Sequence, residues 1–74
     1  MTFWKSIDWL SLGRELHELR KRLHLTMRDL EDIIEVTPTK ICRVEQGKSC
    51  NEIDYKKICL WLQCSMDKFK KEIA

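Results

Sequence analysis

By type, the side chains able to do covalent or metal chemistry are Cys42, Cys50, Cys59 and Cys64, with His17 and His24. Their spacing argues against both uses. No two cysteines form the C-x-x-C pair of a zinc ribbon, and the histidines lie seven apart on one helical segment rather than as an H-x₃₋₅-H ligand pair. No orienting partner or cleft accompanies a Cys/His nucleophile, so four free thiols are expected, with Cys59 packed in the core. A second group is better spaced. Thr37, Pro38, Thr39, Lys40 and Arg43 fall within two turns of one short helical pattern. Hydroxyls, an ammonium and a guanidinium presented together supply hydrogen-bond donors and positive charge. That is the chemistry of recognition: the Arg43 fork can donate twice to guanine O6 and N7, and Thr39 can offer a hydroxyl, or a methyl to thymine. Each has a plainer role as well, Thr37 as a helix cap and Lys40 and Arg43 as solvated surface.

The segment that must position them runs from Leu25 to Gly47, LTMRDLEDIIEVTPTKICRVEQG. It reads as two short helices separated by a tight break. Thr26 caps the first, with Asp29 at its favourable N-terminal end and Leu30, Ile33 and Ile34 facing inward. Thr37 caps the second and Pro38 occupies its first position, where a missing N–H costs nothing. Ile41 and Val44 face inward, Thr39, Lys40 and Arg43 face outward, and Gly47 closes the helix in the left-handed conformation. Helices this short cannot bury an apolar face alone, and a pair joined by such a turn can push one helix into a DNA major groove.

The flanks supply the scaffold. Asp8 caps a first helix that runs to about Leu23, with Trp9, Leu12, Leu16, Leu19 and Leu23 as its apolar stripe. Gly13 within that stripe either permits a close helix contact or marks a later helix start. Asn51 or Glu52 starts a fourth helix with Tyr55, Ile58, Cys59 and Leu62 buried. Ser65 caps a short fifth helix carrying Met66, Phe69 and Ile73. Residues 1–7 read equally as an extra turn, a lid or part of an interface, and Trp61 as core or dimer surface. The expected architecture is a single all-α domain of five helices.

Composition narrows the function. Seventy-four residues leave little interior for a catalytic cleft beside a core. No apolar run of about 18 residues suggests a membrane span and no leader pattern precedes the first helix, so a cytoplasmic chain is expected. The net charge of +2 is small for a nucleic-acid binder, so distribution decides. Asp29, Glu31, Asp32 and Glu35 make the second helix acidic, against Arg28 alone. Lys40, Arg43 and Lys48 make the third basic, against Glu45.

From Leu12 to about Phe69 the chain resembles the phage repressor/Cro-type, or Xre-like, helix-turn-helix family. Leu12, Leu16, Leu19 and Arg20 match its first helix, Leu25-Thr26 the start of its second, and Leu30 and Ile34 its core positions. Val36, Ile41, Val44, Glu45 and Gly47 match the residues marking its turn and recognition helix, and Leu62, Ser65 and Phe69 its closing helices. The resemblance implies a repressor-like fold with a helix-turn-helix over about residues 26–46. It implies a regulator, phage or bacterial, that occupies an operator in double-stranded DNA as a homodimer, without a cofactor or a small-molecule substrate. Thr37, Pro38, Thr39, Lys40 and Arg43 would face bases. Thr26, Met27, Arg28, Lys48 and Ser49 would face phosphates. Arg20 and Glu45 would form a structural ion pair.

The chain departs from the family pattern at Met27, in place of a phosphate-gripping glutamine, at Glu31, in place of alanine, and at Glu35, in place of the turn glycine. Glu35 is therefore expected at positive φ. A dimer would use either Phe3, Trp4, Trp9 and Leu10, or the fourth and fifth helices with Leu60 and Trp61. The acidic second helix and small net charge also fit a different class, a protein-interaction module that binds a polymerase, a toxin or another regulator.

Overall fold

Four side chains start the four helices by capping their first turns. In the computed structural model, which describes residues 7–70, Asp8 accepts from the Ser11 N–H, Thr26 from Asp29, Thr37 from Lys40 and Asn51 from Asp54. The helices are α1 (Trp9–Arg22), α2 (Met27–Ile34), α3 (Pro38–Glu45) and α4 (Glu52–Leu62). Among the described residues there is no strand, only an isolated bridge between Ile7 and Lys70. None of these helices is long and apolar enough to cross a membrane.

At α2 the cap is reciprocal: Thr26 Oγ1 accepts from the Asp29 N–H (3.0 Å), and the Asp29 carboxylate accepts from the Thr26 N–H (2.9 Å). The second of these contacts, the Thr26 N–H on the carboxylate, is the larger cause holding the Asp29 carboxyl below its ordinary range. Helix α2 ends at Glu35, which sits in the left-handed region at φ 57°, the conformation expected where the resemblance has glycine. His24 and Gln63 adopt the same conformation at the ends of α1 and α4.

The core is Leu12 and Leu16 of α1, Leu30 and Ile34 of α2, Ile41 and Val44 of α3, and Tyr55, Ile58 and Cys59 of α4, with Ile7, Val36 and Phe69. Each fully buried Leu or Ile contributes about 1.5–3 kcal/mol. The Trp9 ring meets Tyr55 edge-on at 5.9 Å. Helix α1 packs mainly on α3, and Gly13 makes that contact possible: a Cβ there would lie 2.1 Å from the Val44 carbonyl oxygen. Of the two readings of Gly13, the close helix contact is the one observed.

Three expectations are corrected. Residues 65–70 form turns, not a fifth helix: Lys68 N–H donates to Ser65 O and Lys70 N–H to Asp67 O, each at 3.1 Å. A helix would send the Lys70 N–H to Met66 O, but the Tyr55 hydroxyl donates to that carbonyl at 2.5 Å. Asp8 N–H donating to Phe69 O, beside the Ile7–Lys70 bridge, then holds the chain extended. Second, Ile33 is 51% exposed, because Leu30 and Ile34 already fill the inward stripe of an eight-residue helix. Third, Leu23 is exposed because α1 ends one residue earlier, at Arg22, leaving Leu23 as its C-cap. Trp9, Leu19 and Leu62 are half-buried. The expectations for Phe3, Trp4 and Ile73 lie outside the described residues.

Gly13→Ala tests the close contact. Backbone cannot yield as a flexible side chain would, so the substitution should cost about 1–3 kcal/mol or more. In a domain this size that lowers Tm by roughly 4–8 °C per kcal/mol. An unchanged thermal midpoint would show that α1 and α3 do not approach as described.

Candidate nucleic-acid interface

Helix α3 has two sides of opposite character. Ile41 and Val44 are buried, whereas Thr39, Lys40 and Arg43 are exposed, as are Thr37, Lys48 and Ser49 at its two ends. Pro38 at the first helical position is half-buried. Thr37 is first a cap, its hydroxyl accepting from the Lys40 N–H at 3.4 Å. No acid occupies the first turn of α3, which leaves the helix dipole unopposed there.

Lys40, Arg43 and Ser49 line one shallow hollow with Cys50, Asn51 and Asp54. The hollow joins the outward face of α3 to the start of α4. Its acid had no signal in the sequence: Asp54 reads as an ordinary first-turn carboxylate after the Asn51 cap, yet its side chain is only 8% exposed. Lys40 Nζ lies 3.3 Å from Asp54 Oδ2, and no well-formed hydrogen bond reaches that oxygen. Lys40 is thus tied to α4, and among the described residues no ion pair engages Arg43 or Lys48. Arg43 is the freer cation of the face.

At α2, Thr26 and Arg28 are exposed, while Met27 packs partly against the core. Met27 therefore offers a ligand its backbone N–H, one of the unpaired donors at a helix start, and little of its side chain. The carboxylates of Asp29, Asp32 and Glu35 are exposed, and Glu31 is half-exposed.

The ion pair that fixes α3 is bidentate. Arg20 Nε donates to Glu45 Oε2 at 2.7 Å and Arg20 Nη2 to Glu45 Oε1 at 3.0 Å. The third arm, Nη1, donates to the Leu25 carbonyl at 2.9 Å. Both charged side chains are buried, at 6% and 7% exposure. His17 Nδ1 lies 2.8 Å from Glu45 Oε1; the spacing of His17 one turn before Arg20 is the sequence signal for this contact, which the metal-ligand reading of the histidines does not use. Burial pushes the Glu45 carboxyl up, but the hydrogen bonds from Arg20 and His17 outweigh it, and the net value is below the ordinary 4.5.

The cysteines are free. Burial, aided by Asp54 and Cys59, pushes the Cys50 thiol up to about 12, and burial raises Cys59 to about 11. Both stay protonated at neutral pH, the opposite of an activated nucleophile. Among the described residues no cluster of His, Cys, Asp and Glu is placed to hold a metal.

No family model matches the chain, and no curated protein or solved structure is significantly similar to it.

Glu45→Gln should destabilise the protein by about 3–5 kcal/mol near neutral pH, because it strands a buried guanidinium. The pH dependence has a definite sign. A carboxyl held below its ordinary value stabilises the fold fully above pH 4.5 and loses that contribution as pH falls through the lowered folded-state value. The gap between wild type and variant, measured by urea denaturation, should therefore narrow on acidification below pH 4.5. A gap independent of pH would remove the ion pair from the account.

Proposed function

We propose that this chain is a sequence-specific DNA-binding regulator, a small phage or bacterial repressor acting by operator occupancy, in which α2 and α3 serve as a helix-turn-helix. The observation that carries the reading is the division of α3. Ile41 and Val44 hold it from behind, and Thr39, Lys40 and Arg43 stand exposed on the outward side. A helix anchored on one side and polar on the other is what a major groove accepts.

In this reading Arg43 reads guanine, Thr39 reads a base edge or a thymine methyl, and Pro38 makes apolar contact. Thr37 contributes beside its capping role. Lys40 reaches a base or phosphate only by exchanging its contact with Asp54. Thr26, Arg28, the Met27 N–H, Lys48 and Ser49 hold phosphates, which sets position without specifying sequence. Two copies would address successive major grooves about 34 Å apart.

A specific observation favours a second reading, a protein-interaction module of the same fold: the outward side of α2 carries exposed Asp29, Asp32 and Glu35. Such a module would bind a polymerase, a toxin or another regulator and show no retention on duplex DNA at low salt.

Selection from a random duplex pool, followed by binding measurements across salt concentrations, separates the two. Arg43→Ala should lose about 1–3 kcal/mol of discrimination at one base position. Lys48→Ala should weaken all sequences alike and lower the salt slope by about 1. Equal loss on every sequence for Arg43→Ala would remove it as a base reader, and no enriched half-site would sink the operator reading.

A further inference from the structure

The hollow between α3 and the start of α4 holds two cations and one acid: Lys40 and Arg43 from α3, Asp54 from α4. The acid depends on a cation. Its side chain is only 8% exposed, and no well-formed hydrogen bond reaches Oδ2. Lys40 Nζ, 3.3 Å away, is the charge that balances it. Removing one partner of a buried pair is far more costly than breaking an exposed one, because it strands the other charge. Lys40 would strand Asp54 by moving to a phosphate or a base edge. Arg43 and Lys48 break no ion pair among the described residues by making the same contact. Lys40 is therefore the cation of this face that stays within the protein.

Its contact has a consequence for Arg43. Arg43 lies three residues after Lys40 on the same helix and lines the same hollow. A guanidinium is less strongly hydrated than an ammonium and can grip a carboxylate with two parallel N–H donors. With Lys40 gone, a full carboxylate charge competes for Arg43 against the partial charges of a base edge. Cys50, the remaining titratable group of the hollow, does not enter this competition, since burial and Asp54 push its thiol up to about 12 and leave it uncharged near neutral pH. Ser49 and Asn51 are neutral. One acid claims one of two cations, and the cation it claims decides which is left for a ligand.

We infer that Lys40 is a positioning residue, which occupies Asp54 so that Arg43 stays free to read a base, and does not itself touch DNA. This rests on the operator reading of α3 and reassigns one residue within it.

Discrimination among single-base variants of the selected half-site, measured for wild type, Lys40→Met, Lys40→Arg and the double variant Lys40→Met/Asp54→Asn, tests this. Lys40→Met turns Arg43 toward Asp54 and should lose roughly five- to hundredfold discrimination at the base position Arg43 reads. The double variant also lacks Lys40 but has no acid to claim Arg43, so its discrimination should return to within about twofold of wild type, since an unpaired Arg43 is again available for the same bidentate contact. Lys40→Arg keeps a cation on Asp54 and should behave as wild type. In the free protein, hydrogen exchange at Arg43 Nε, followed by NMR, should slow in Lys40→Met and recover in the double variant. The double variant strands no buried charge, so it carries the test where Lys40→Met does not fold. A direct contact between Lys40 and DNA gives the opposite result, a double variant no better than Lys40→Met. That result would overturn the inference, as would wild-type discrimination in a folded Lys40→Met or an Arg43 exchange rate that does not respond to it. A wild type that enriches no half-site would fail the operator reading and take the inference with it, whereas failure in the variants alone leaves wild-type enrichment intact.

Discussion

The guanidinium of Arg20 is the point through which three parts of this protein are held in register. It grips Glu45 at the end of α3 with two arms and the Leu25 carbonyl just before α2 with the third. Eight-residue helices are too short to persist in water alone, so α2 and α3 exist because α1 gives them a place. Gly13 sets how closely the Val44 backbone approaches α1, and Arg20, two turns further along α1, sets where α3 ends. A close approach at one point and a charge-assisted fork at another fix direction as well as distance. Ile41 and Val44 alone would permit α3 to rotate or slide while remaining buried. The outward position of Thr39, Lys40 and Arg43 therefore depends on a pair of charges on the opposite side of the helix.

The same logic explains why a small net charge can be arranged to matter. Exposed pairs such as Lys56–Glu52 and Lys70–Asp67 contribute little and leave the surface close to neutral. Lys40–Asp54 is different because its two ends are unequally exposed. The buried carboxylate depends on its cation, whereas the ammonium has water as an alternative partner. This asymmetry holds Lys40 toward α4 until something else neutralises Asp54. Arg43, one turn further along, carries no such tie. On one helix, then, one cation is committed within the protein and the other is available to a ligand.

What could be read from the sequence was local, and what was missed is long-range. Asp8, Thr26, Thr37 and Asn51 each cap a backbone N–H three residues away, so their roles follow from short spacing and were legible at three of the four starts and nearly so at the fourth. The positive φ at Glu35 was legible only through the resemblance, which has glycine at that position. The expected fifth helix failed because its competitors come from far away: the Tyr55 hydroxyl reaches the Met66 carbonyl, and Asp8 claims Phe69 O. Ser65, Met66 and Phe69 look helical by spacing, and nothing within that segment announces a hydroxyl eleven residues earlier. The candidate site divides in the same way. The exposed face of α3 was legible from periodicity, while the burial of Asp54 and the contact between His17 and Glu45 depend on how α4 and α1 lie against α3.

The length of α2 links the outward face of α3 to an exposed apolar flank. Just over two turns offer only a narrow inward stripe, taken by Leu30 and Ile34 with Met27 beside them. Any further apolar residue must face elsewhere, and Ile33 does so. Because α2 ends in a left-handed residue rather than another turn, Glu35 projects beside Ile33 instead of extending the helix over α4. The break that lets α3 turn away from α2 thus also leaves the apolar flank of α2 uncovered. Lengthening α2 to hide Ile33 would displace Thr37, the cap from which α3 begins, so the exposed flank and the position of α3 are consequences of the same short helix.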